Sequence, residues 1–177
     1  MSQQAGRYPR TFGGMIGAMV VLVALVLVWV GFRALTSSQP ATPVQHVDYA
    51  QEVPLARKAA HFRLLAPPRL PAGWHATTVT FTDTVPQHWH LGVLTGRDRY
   101  VGLEQAQQPR RSMVAAYVAK DANRGAPVQV GGHTWSTYTD SQGDLALVRR
   151  GARDTTTLVV GHDVPRSDLL DYVASLR

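Results

Sequence analysis

Two histidines on either side of a tryptophan, His88-Trp89-His90, have the spacing in this chain that points most directly to chemistry. On a β-strand, positions i and i+2 share one face about 6–7 Å apart, so the two imidazoles could together hold Zn²⁺ or Cu²⁺. A third ligand would have to come from a neighbouring strand, with His75 and His133 as candidates. The same spacing has a purely structural reading, in which Trp89 fills the core and both histidines face solvent. Glu104, the only glutamate after Glu52, sits mid-strand beside Gln105. It is either a solvated acid or a buried one paired with an arginine such as Arg149. Trp89, Glu104 and Trp135 form the candidate ligand-binding set. If aromatic residues among Trp74, Trp89, Tyr100, Trp135 and Tyr138 line an open sheet face, they offer a platform for a glycan or peptide; otherwise they are core.

Other chemistries find no support in the residues. There is no G-x-S-x-G elbow, and Ser112 and Ser167 stand where helices begin, which is capping territory. A second carboxylate to pair with Glu104 in glycoside hydrolysis is not evident. Gly131-Gly132 is too short for a phosphate loop and no helix follows it. With no cysteine, disulfides, thiol nucleophiles and Cys-ligated metals are all excluded. No catalytic residue is assigned, and no cofactor is expected.

The elements that position these residues read as an α+β domain. Alternation predicts strands over 76–83, 88–95 and 99–105, joined by turns at Val85-Pro86-Gln87 and Gly96-Arg97-Asp98. Met113, Val114, Tyr117 and Val118 mark a helix over 109–122, which Asn123-Arg124-Gly125 ends with Gly125 in a positive-φ conformation. Strands follow at 128–130, 133–139, 145–149 and 155–160, then a helix over 165–176 capped by Asp163 with Pro165 in its first turn. The order βββαββββα, connected by short turns, implies a largely antiparallel sheet with both helices on one face.

Residues 11–32 contain no charged side chain, a length that spans a bilayer as a helix. Arg7 and Arg10 precede this run; Arg33 follows it, with no further basic residue until Arg57, so the positive-inside rule puts the N-terminus in the cytoplasm. The apolar core is too long for a cleaved signal peptide, and no A-x-A site follows it. Gly13-x-x-x-Gly17 permits close helix approach. The expected organisation is a cytoplasmic tail (1–10), a transmembrane helix (11–35), an extracytoplasmic spacer (36–69) and an α+β domain (70–177). Within the spacer, a short helix over 55–65 is expected, ended by Pro67-Pro68.

The pI of about 10.2 invites a nucleic-acid reading. Three of the 18 basic residues flank the membrane run, which leaves 15 beside 12 acidic ones, mixed in sign and never more than two basic residues in a row. Nucleic acid is therefore not an expected partner.

Leu70-Pro71-x-Gly73-Trp74, Trp89-His90-Leu91-Gly92 with Thr95, and Tyr100-Val101-Gly102-Leu103-Glu104-Gln105 form a series. It continues through Gly131/Gly132-x-x-Trp135, Ala146-Leu147-Val148-Arg149 and the terminal helix Leu169 to Leu176. In this series the chain resembles domain of unknown function 4245, a family of single-pass membrane proteins from high-GC Gram-positive bacteria (actinobacteria). The resemblance implies location and lineage, and brings no activity or catalytic residues. The element order is also similar to the Mog1/PsbP-like fold, an analogy of architecture alone. The expected function is that of a membrane-anchored binding or scaffold domain in the cell envelope, its partners the bilayer through 11–35 and an envelope protein or glycan. The alternative is a metal-dependent or other hydrolase acting on an envelope substrate.

Overall fold

The computed structural model describes residues 46–177 and, before them, Met19, Leu22, Val23 and Val26. The transmembrane helix expected at 11–35 lies outside the described residues except for those four, which are helical and exposed. The tail 1–10 and the first part of the spacer also lie outside them. Among the described residues no helix is long and apolar enough to cross a membrane.

The folded unit begins well before residue 70. Helix α1 (Tyr49–Ala59) starts at Asp48, whose side chain accepts a hydrogen bond from the Ala50 amide at 3.1 Å. It begins six residues before the expected helix and stops before His61, carrying Pro54 inside it. Val53 and Ala56 on its inner side are buried, and so are Phe62, Leu64, Leu65 and Ala66 in the extended stretch that follows. Ala66 and Arg177 exchange reciprocal backbone hydrogen bonds of 3.2 Å, which tie this stretch to the C-terminus. Residues 46–66, expected as spacer, are therefore part of the folded unit and contribute Val53, Ala56, Phe62, Leu64, Leu65 and Ala66 to its core.

The sheet has eight strands: β1 (His75–Thr82), β2 (His88–Leu94), β3 (Tyr100–Ala106), β4 (Asn123–Arg124), β5 (Val128–Val130), β6 (His133–Thr139), β7 (Leu145–Arg150) and β8 (Thr156–Gly161). Its order is β1-β2-β3-β8-β7-β6-β4, with β5 paired to β6, and every pairing is antiparallel. The α+β class and the antiparallel sheet follow the alternation in the sequence. The observed order gains α1 and the two-residue strand β4, where the helix stop was expected.

The helices do not share a face. Helix α2 (Arg110–Tyr117) packs Met113 and Val114 on Ala146, Val148, Leu158 and Val160. Helix α3 (Arg166–Ser175) packs Leu169, Tyr172 and Val173 among Leu91, Leu103, Leu147 and Val159, on the same side as α1. Adjacent residues of one strand point to opposite faces, so Ala146 and Leu147 place the two clusters on opposite sides of the sheet. The cause is visible in the central strands: all six residues of β8 and six of seven in β3 are buried, so both faces need cover. Each fully buried Leu contributes on the order of 1.5–3 kcal/mol. The N-cap of α3 is Pro165 with no side-chain bond, not Asp163, which sits at φ 56.

Gly125 is not among the residues with positive φ. A Cβ there would fall 2.6 Å from Thr137 Oγ1, so space, not backbone conformation, calls for glycine.

Candidate functional site

Strand alternation turns Trp89 into the core and His88 and His90 to the other face. The register pairs His90 with Glu104 across β2 and β3, which sets the carboxylate between the two imidazoles. Glu104 Oε1 lies 2.6 Å from His90 Nδ1, and Oε2 lies 2.8 Å from His88 Nε2. Glu104 is 3% exposed. Burial pushes its pKa up, but hydrogen bonds from His88 and His90, and their charges, outweigh that and hold it below the usual carboxylate range. The arginine partner expected for Glu104 is ruled out by alternation. Arg149 shares a row with Thr157 and Gln105, the row next to Glu104, and so lies on the opposite face.

Aromatic side chains frame the pair. Tyr117 of α2 stacks on His88, with ring centroids 5.8 Å apart, and its hydroxyl is 3.2 Å from His88 Nε2. Tyr100 lies over Gly92 and Gly102, where a Cβ would come within 3.1 Å of its ring. Burial and then the Glu104 charge push the Tyr100 hydroxyl up to about 12.

His88 and His90 lie together, and neither candidate third ligand, His75 or His133, joins them. Glu104 holds one nitrogen of each histidine, while His75 lies against His46, the rings tilted by 54° with centroids 4.3 Å apart. His133 borders a cavity on the other face. Among the described residues, no group of three or more His, Cys, Asp or Glu could hold a metal ion. As it stands, the arrangement can orient two imidazoles and carry a proton between them and the carboxylate.

The aromatic platform also divides. Trp89 is fully buried and its Nε1 donates to the Leu65 carbonyl at 3.2 Å, so it is a core residue with no surface to offer a ligand. Trp135 is 2% exposed, covered by the Arg149 guanidinium 5.1 Å from its ring.

The second constellation, which the residue patterns did not announce, surrounds Arg149. A cavity of about 620 Å³ is bordered by the stretch after α1, β7 and the β7–β8 connection, with Arg63, Arg149, Arg153 and Thr155 in its wall. A crevice of about 80 Å³ shares Arg63 and Arg149 with it and reaches Trp135. Neither lining includes an Asp or Glu among the described residues. Burial, and then the charge of Arg63, hold the Arg149 pKa below its ordinary value. Three buried donors here have no hydrogen-bond partner: Arg149 Nε, Thr155 Oγ1 and Trp135 Nε1. Gln105, by contrast, is saturated: Oε1 accepts from Leu65 N at 2.6 Å and Nε2 donates to Thr157 Oγ1 at 2.9 Å. No sequence period brings residues 63, 135, 149 and 155 together. The advance signals were Trp135 as a candidate ligand residue, and Arg149 and His133, singled out for other roles.

Comparison with curated proteins and with solved structures found no match. A family model described as a protein of unknown function (DUF4245) matches residues 7–176, nearly the whole chain, and the protein belongs to that family.

Proposed function

We propose that the protein is a binding protein of the actinobacterial cell envelope, anchored by a single membrane helix over 11–35 with its folded domain outside the cell. The anchor is supported by the uncharged run 11–32, and the orientation by Arg7 and Arg10 before it. The observation that carries the binding reading is the arginine-walled cavity, where buried donors stand without partners and, among the described residues, no acid lines the wall and only Arg150 of its arginines is ion-paired, with Asp154. Buried polar groups are ordinarily hydrogen-bonded, so orphaned donors in the walls of adjoining cavities mark a place that a ligand completes. An envelope protein or an envelope glycan bearing acceptor groups fits this description.

Crosslinking in intact cells with a photoreactive group at His133, on the cavity rim, tests the reading. It predicts a reproducible envelope adduct that Arg63→Gln removes. An adduct pattern identical in the variant, or no adduct, rejects it.

The hydrolase reading draws on a separate observation, the Glu104-bridged histidines. Metal analysis of the purified chain addresses its metal-dependent form: stoichiometric zinc or copper lost in His88→Ala and His90→Ala would favour it over the binding reading.

A further inference from the structure

We propose that the arginine-walled cavity is an oxyanion site for a phosphoryl group, held between Arg63 and Arg149 with Thr155 and Trp135 as further donors. The proposal rests on the binding reading above and names the chemistry of the ligand.

Valence comes first. Arg149 Nε–H, Thr155 Oγ–H and Trp135 Nε1–H are the side-chain groups left unpartnered here. Guanidinium and indole nitrogens donate only, and a hydroxyl can donate. Of the side-chain acceptors in the wall, the Gln105 carbonyl oxygen already accepts from Leu65 N and Thr157 Oγ1 from Gln105 Nε2, and none bonds these three donors. The ligand that completes the site must therefore bring acceptors.

Charge gives the same answer. Arg63 and Arg149 face the cavity close enough for each to act on the other, and neither enters an ion pair among the described residues. Two like charges beside a partly buried space are relieved by an anion between them.

Geometry selects the anion. The donors come from four separate stretches: residue 63 before β1, residue 135 on β6, residue 149 on β7 and residue 155 ahead of β8. Arg63 and Arg149 border both spaces, Thr155 the larger and Trp135 the smaller, so a ligand that meets them all needs several acceptor oxygens, which suits a tetrahedral group better than a planar carboxylate with two. The stack of Arg149 on Trp135, 5.1 Å to the ring centroid, holds the guanidinium in place before binding. A fixed guanidinium is suited to phosphate. The crevice of about 80 Å³ exceeds the roughly 30 Å³ share of a water molecule.

The test is calorimetric titration of the full-length chain in an uncharged detergent at low salt. The probes are inorganic phosphate, glycerol phosphate, acetate and phosphatidylglycerol in mixed micelles. The expected result is saturable binding of a phosphoryl probe, weakened ten-fold or more by Arg63→Gln and by Arg149→Gln, and unchanged by Arg124→Gln on the exposed strand β4. Saturation with phosphate or glycerol phosphate identifies a soluble source; saturation with phosphatidylglycerol alone identifies a lipid headgroup. Because Arg63 is exposed, its variant keeps the test valid if Arg149→Gln fails to fold. Three results overturn the proposal: no saturation with any phosphoryl probe, binding untouched by Arg63→Gln, or acetate bound as tightly as phosphate. If phosphoryl probes fail while the crosslinked adduct is still lost in Arg63→Gln, the phosphoryl assignment falls and the binding reading stands.

Discussion

Glu104 is the residue on which one face of the sheet turns electrostatically. Buried and accepting from two imidazoles, it is held below the usual carboxylate range despite burial. A lowered folded pKa means that the unfolded chain takes up the proton first as pH falls. The stabilisation is thus complete above the unfolded value of about 4.3, and is lost as pH falls from there through the folded value. Replacing Glu104 with Gln should cost about 1–3 kcal/mol at neutral pH, because two partly buried hydrogen bonds lose their anionic acceptor. Denaturant midpoints taken from pH 7 down to pH 3 should fall less steeply in the variant than in the parent. Gly125 supplies a second test at this scale. Its missing Cβ leaves room for Thr137 Oγ1, which donates to the Ala126 carbonyl at 2.8 Å. Gly125→Ala should destabilise by about 1–3 kcal/mol, read from urea unfolding; a positive-φ requirement is not the reason. That His88 and His90 share a face could be read from i, i+2 spacing. That Glu104 sits between them could not, because strand register is a tertiary property and alternation does not specify it.

Among the elements, the strands were legible because their alternation is strong and their turns are short. Helix α1 was legible only in part: a helix was expected over 55–65, but Pro54 lies inside it and the polar residues before it resemble a spacer, so its start at Tyr49 was not. The stretch from Phe62 to Ala66 has neither helical nor strand period, although Phe62, Leu64, Leu65 and Ala66 are all buried. Side-chain pattern along one segment says nothing of an extended stretch lying against β2 and β3, where it bonds Trp89 and Gln105. The distribution of helices also escaped, since β3 and β8 are buried on both faces and their need for two covers becomes visible only with the sheet order. These placements make a sharp prediction. A chain begun at residue 44 should unfold in one cooperative transition, followed by circular dichroism. A chain begun at residue 70 should show none, because it lacks Val53, Ala56 and Phe62 to Ala66 from the core.

For the whole molecule, the proposed topology places the folded domain outside the cell and its basic tail inside. The absence of cysteine makes this directly measurable. A single cysteine at Ser141, in the β6–β7 connection, should react with a membrane-impermeant maleimide on intact cells, whereas one at Ser2 should react only after permeabilisation. The two faces of the sheet then have separate roles: one carries the carboxylate-bridged histidines, the other the arginine cavity with its orphaned donors. The cavity was invisible in the sequence because its donors are spread over some ninety residues and meet only when β6, β7 and the segment after α1 come together.

Arg63 and Arg149 are proposed to hold a phosphoryl group, and the indole proton of Trp135, in the crevice that both arginines also border, reports on it. Trp135 Nε1 is buried without a partner, while Trp89 Nε1 is already bonded to Leu65 O, so the two indole signals are probe and internal control. In a phosphate titration of the full-length chain followed by nitrogen–proton correlation spectra, the account predicts a saturable shift of the Trp135 signal. The Trp89 signal should stay fixed, and the shift should disappear in Arg63→Gln. A Trp135 signal that does not move, or that moves equally in the variant, would contradict it.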